Sequence, residues 1–117
     1  FFIMAAGSHN FKIEQGTTFN NTLTYKQADD TAVDISGAQI TLKAKDNRSD
    51  STLVLDLSVG NGITITNAVA GQFTISIPSS TTANYTWNRA DFDLDLTLSS
   101  TTERLISGQI QIIKSVA

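Results

Sequence analysis

Apolar and polar residues alternate along this chain in segment after segment, and that beat limits what it can fold into. Phe92, Leu94, Leu96 and Leu98 are apolar, while Asp93, Asp95 and Thr97 between them are polar. The same spacing recurs at Ile40, Leu42 and Ala44, at Leu53, Leu55 and Leu57, at Phe73, Ile75 and Ile77, and at Ile106, Ile110 and Ile112. Successive side chains of a strand point to opposite faces, so each segment predicts a strand with one dry and one wet side. Many such segments in 117 residues need a second sheet to cover the dry side. The expected fold is all-β: an immunoglobulin-like antiparallel β-sandwich of roughly seven to nine short strands.

Punctuation sets the strand limits. Strands are expected over residues 9–14, 17–27, 38–45, 52–58, 63–66, 72–77, 91–99 and 103–114, with a short extended piece at 33–35. Gly60-Asn61-Gly62 predicts a turn, because Gly and Asn accept positive φ. Pro78 lacks an N–H and ends its ladder. Residues 79–87 lose the two-residue beat; one helical turn is expected there, capped by Ser79 or Ser80, in a crossing between the sheets. Gly108 inside the last strand predicts a bulge or a close backbone approach. Residues 1–8 read as an N-terminal arm, within which Met4 could be the start, and 9–117 as a single sandwich domain. The apolar Phe1-Phe2-Ile3-Met4 stretch is expected to pack on its own sheet or on another subunit.

Composition excludes several functions. The net charge is −3, against the clustered Lys and Arg that phosphate neutralisation needs, so nucleic acid is not an expected partner. An anionic membrane surface is disfavoured for the same reason, and no apolar run approaches the ~20 residues that span a bilayer. With no Cys and one His, thiol catalysis and Cys- or His-rich metal sites are absent, and so is the Cys–Trp–Cys core of antibody domains.

Five groups of residues invite a chemical reading. His9 would need a Ser and an Asp around it to act as a base, and no Gly-x-Ser-x-Gly elbow is present. Asp91, Asp93 and Asp95 share one strand face at about 6.5–7 Å spacing. Calcium wants six to eight oxygens gathered by a curled loop, so the favoured reading is a charge ladder facing Thr41, Lys43 and Lys45 on a neighbouring strand. Glu14 and Glu103 are the only Glu residues, and nothing pairs them across a cleft. Tyr85, Trp87 and Phe92 read first as a plug for one end of the sandwich, and second as an aromatic anchor for a partner or a sugar. Gly60-Asn61-Gly62 is followed by no Lys-Ser/Thr and no helix, so it is no phosphate loop. No catalytic, cofactor or metal residue is assigned.

The order of pieces resembles small tailed-phage virion proteins, in particular the immunoglobulin-like N-terminal domain of phage baseplate upper proteins. The pieces are Phe11-Lys12-Ile13, Gln15-Gly16-Thr17, Phe19, Leu23-Thr24-Tyr25, Val33-Asp34-Ile35-Ser36-Gly37-Ala38 and Ile40-Thr41-Leu42-Lys43. Residues 55–65, 71–77, Thr81-Thr82-Ala83, Asp93-Leu94-Asp95-Leu96 and Arg104-Leu105-Ile106-Ser107-Gly108 continue it. In that family the domain docks a receptor-binding assembly onto the tail tip and is followed by a long extension. The resemblance implies a non-enzymatic structural component of the virion, assembled in the host cytoplasm and placed at the tail, baseplate, neck or capsid surface. Its expected partners are other virion proteins in symmetric copies, met through edge strands at 9–14 or 103–114, with no cofactor and no small-molecule substrate. A stand-alone component is expected here. The alternative is a carbohydrate-binding or adhesion module built on Tyr85 and Trp87.

Overall fold

The computed structural model describes residues 2–3, 7–27, 29–47, 49 and 52–115. Its elements are β1 (Phe2–Ile3), β2 (Gly7–Ser8), β3 (Phe11–Glu14), β4 (Phe19–Tyr25), β5 (Gln39–Lys45), β6 (Leu53–Val59), β7 (Gly62–Asn67), β8 (Gln72–Ile77), α1 (Ser79–Thr82), β9 (Arg89–Leu98) and β10 (Thr101–Ile113). The chain is all-β apart from that single helical turn, as the alternation predicts.

The strands form one hydrogen-bonded path, β1-β4-β8-β7-β6-β5-β9-β10-β2, with β3 also on β10. The path curls, so β4, β8 and β7 make one layer and β6, β5, β9, β10 and β3 the other. Their inward residues meet in a single core that includes Leu23, Ile63, Phe73 and Ile75 from the first layer and Ile13, Ile40, Leu42, Phe92, Leu94 and Ile110 from the second. The least dimension is 23 Å, which fits two sheets about 10 Å apart with side chains outside each. The long ladders are antiparallel, as expected. The short pairings of β1 with β4, of β2 and β3 with β10, and of β6 with β7 are parallel.

Both seams between the layers are closed, at least in part, by local chain. On one side β6 turns into β7 through Gly60-Asn61-Gly62, where Ser58 N–H donates to Asn61 O at 3.0 Å and Gly60 N–H to Ile63 O at 2.9 Å. Gly62 has φ +93°, and a Cβ there would lie 2.6 Å from Leu57 Cδ2, so the corner closes only around a glycine. On the other side the N-terminal residues divide between the layers. Phe2–Ile3 runs beside Thr24–Tyr25 of β4, and Gly7–Ser8 beside Ile106–Ser107 of β10. The first apolar stretch therefore lies on its own sheet at Phe2 and Ile3; Phe1 and Met4 fall outside the described residues.

Two expectations are corrected, and the course of the short extended piece is settled. The helical turn begins after Pro78, whose carbonyl accepts from Thr81 and Thr82 N–H, and no side chain caps it. Residues 33–35 form no strand; only Ala32 bridges to Lys26. The last strand is not free along its length, because β9 lies on one side of it and β2 and β3 on the other. The course of residues 33–35 follows from where their backbone bonds go: Val33 N–H donates to Tyr25 O and Ile35 N–H to Ala68 O, so the segment straps the end of the first layer instead of extending it.

Gly108 marks a close approach. A Cβ there would sit 2.0 Å from His9 O, while His9 N–H donates to Ser107 O at 3.1 Å. Gly108→Ala is expected to lower stability by about 2–3 kcal/mol in denaturant unfolding and to strip His9 of amide-exchange protection. Gly16→Ala meets nothing within 4 Å and costs about 1–2 kcal/mol for its positive φ alone, with His9 protection kept.

Candidate functional site

The acidic row of β9 stands in the middle of the second layer's outer face. Register places Thr41, Lys43 and Lys45 of β5 opposite Asp95, Asp93 and Asp91, as the ladder reading expects. Strand β10 flanks the row on its other side. Arg104 Nε donates to Asp95 Oδ1 at 2.9 Å and its guanidinium lies 3.7 Å from Asp93, while Gln109 Nε2 donates to Asp91 Oδ1 at 3.3 Å. The row is therefore bounded by cations and amides on both sides, in a shallow recess of about 230 Å³ lined by Lys43, Lys45, Leu53 and the three carboxylates. Among the described residues, no three His, Cys, Asp or Glu side chains gather as metal ligands would.

The place of Arg104 beside the acidic row is not legible in the sequence, for a definite reason. Even-numbered residues of the last strand are predicted to point inward, as Ile106, Ile110 and Ile112 do. A bulge at Leu105 breaks the register between Arg104 and Ile106. Leu105 and Ile106 are consequently both buried, and Arg104 is turned to the wet face beside Asp95.

The aromatic end is partly a plug. Phe92 is in the core, 5.3 Å from Phe11 between ring centres. Tyr85 and Trp87 lie 5.2 Å apart and tilted by 38°, half-buried against the core. Trp87 Nε1 is shielded and has no hydrogen-bond partner among the described residues. Burial raises the Tyr85 phenol above its ordinary pKa. The crossing is held by side chains bonded to its backbone: Gln15 Nε2 donates to Tyr85 O at 2.9 Å, and Lys114 Nζ to Trp87 O at 3.2 Å. Thr82, fully buried, donates to Thr17 O at 2.7 Å and accepts from Gly16 N–H at 3.1 Å. The burial of Thr82 is not legible in the sequence, because its partners lie some 65 residues away.

Glu103 and Glu14 stand apart in role. Tyr25 Oη of β4 donates to Glu103 Oε2 of β10 at 2.5 Å, which ties the two layers across the N-terminal seam. Burial first, then this bond and the carboxylate's charge, push the Tyr25 phenol up to about 12. Glu14 is exposed at the end of β3. His9 packs edge-on against Phe11 at 4.7 Å, and burial lowers its pKa. A cleft of about 420 Å³ opens between β6 and the end of β8, bounded also by Thr81 and Tyr85. It is not legible in the sequence, because it arises only beside the start of β7, where Gly62 turns away from β6.

Two outcomes follow. Tyr25 has a folded pKa above its unfolded value near 10, so its contribution is complete below pH 10 and lost as pH rises through about 12. Wild-type stability should fall over that window in unfolding experiments, and Tyr25→Phe should flatten the fall while losing about 1–2 kcal/mol at neutral pH. The Asp95–Arg104 pair, half-exposed on the Arg side, should show a coupling of about 0.2–1 kcal/mol in a double-mutant cycle, weakened by salt.

No family model matches the chain, and no curated protein matches it in sequence. Among solved structures it is similar to the N-terminal domain of phage TP901-1 ORF48, with a TM-score of 0.53, 9% identity and 95% of each chain covered. The likeness is one of fold and extends over 95% of each chain.

Proposed function

We propose that this protein is a non-enzymatic structural module of a tailed-phage particle, acting by docking onto other virion proteins in symmetric copies. The observation that carries the reading is the fold shared with a phage domain over 95% of each chain. The phage-like order of sequence pieces supports it independently. The site geometry agrees with a contact role. The acidic row on the outer face is committed to Arg104 and Gln109, and the conspicuous polar residues hold backbone together across the crossing.

The glycan-binding alternative needs an aromatic face open to a sugar. Tyr85 and Trp87 instead lie against each other and against the core, with the indole N–H shielded. A glycan array is expected to stay blank.

The test is the particle. Antibody raised against the purified chain should label intact phage from the source at a fixed position, and mass spectrometry of purified particles should recover the protein at a copy number set by the particle's symmetry. Recovery only from the lysate, with clean particles, would remove the docking role.

A further inference from the structure

Strand β6 is paired on one side by β5 along Thr41–Lys45. On its other side β7 meets it only at Ser58 and Val59. From Leu53 to Leu57, about 13 Å of strand at ~3.3 Å per residue, no strand among the described residues lies on that second side. Ser58 N–H and C=O both bond Asn61, away from β5. Strand alternation aims the N–H and C=O of Asp56 the same way, and no hydrogen bond among the described residues takes them up. They face the cleft whose far wall is Ile77, Pro78 and Tyr85. Pro78 has no N–H to offer across it.

We infer that this cleft takes one extended segment of a partner protein, added to the β6 edge where β7 is missing. The inference rests on the docking reading and names its surface. Main-chain pairing with Asp56 would supply the bonds, and alternate side chains the selectivity. The residue opposite Asp56 shares its outer face, and Asp56 is the sole charged side chain among the described residues that line the cleft; Lys43, opposite Asp56 on β5, also stands opposite Asp93, so one cation faces two carboxylates and the open side of Asp56 calls for Lys or Arg. The residues on either side of it turn inward, toward Ile77 and Tyr85, and call for apolar side chains. The occupant is an apolar-basic-apolar strand.

The probe is the peptide Thr-Val-Lys-Val-Thr, with a twin carrying Glu for Lys, titrated into the ¹⁵N-labelled full chain. The Lys peptide should shift and protect the Asp56 amide and shift Tyr85. Asp56→Pro, which removes an N–H that β5 does not use, should abolish the effect with the circular dichroism unchanged. Should that variant fail to fold, Asp56→Lys decides: it should weaken the Lys peptide about tenfold or more and favour the Glu twin. No shift at Asp56 at millimolar peptide, equal binding of both peptides by wild type, or self-association through Asp56 would each overturn the inference. Particles separate the two readings. Asp56→Pro protein that still enters particles removes the β6 edge and leaves the docking role; wild-type protein missing from particles removes the docking role while the peptide result stands.

Discussion

Burial of one apolar face by another is the constraint on which everything else in this molecule depends. Neither layer is stable alone, because every second residue of its strands is apolar and would face water. Phe73 and Ile75 of the first layer and Phe92 and Leu94 of the second are among the side chains fully removed from solvent. Burying such side chains is worth about 1.5–3 kcal/mol each, far more than any exposed ion pair on the surface. The polar interactions therefore select and seal the arrangement more than they drive it.

Sealing is a matter of edges. A sandwich leaves two seams where sheet edges and core ends meet water. Here the β6–β7 corner closes part of one, and the N-terminal strands with the Tyr25–Glu103 bond close the other. The corner depends on Gly62 lying against Leu57, and the second seam on Gly108 lying under the His9 carbonyl. The stretch left open, along β6 beside the corner, is also where the cleft of about 420 Å³ lies. A short exposed edge of this kind is what a partner strand can use and what an unpartnered protein must tolerate.

Charge on the outer face follows the same geometry. Three acidic side chains along a single strand repel one another unless neighbours on both sides answer them. Lys43 and Lys45 stand opposite on β5, and Arg104 and Gln109 on β10. Ser, Thr and amide side chains then carry the long-range bonds that fix the crossing, as Thr82 does between Gly16 and Thr17. The middle of that face is thus settled within itself, and its edges are what it presents to other molecules.

The alternation of β5, β8 and β9 was legible residue by residue, because side-chain direction in a strand is a local property with a period of two. The facing of Lys43 and Asp93 was legible too, once those strands were taken as neighbours. Local sequence also gave the turn at Asn61, the break at Pro78 and the close approach at Gly108. The bulge at Leu105 was not legible: an inserted residue leaves the same string of letters but reverses the face of Arg104. Nor were the Tyr25–Glu103 bond, the burial of Thr82 and the open edge at Asp56. Each joins, or fails to join, segments tens of residues apart, and only the closing of one layer over the other decides which distant groups meet. The sequence by itself determined which face of each strand is dry; the tertiary structure decided which strand edges stay unpaired, because pairing is a property of neighbours in space.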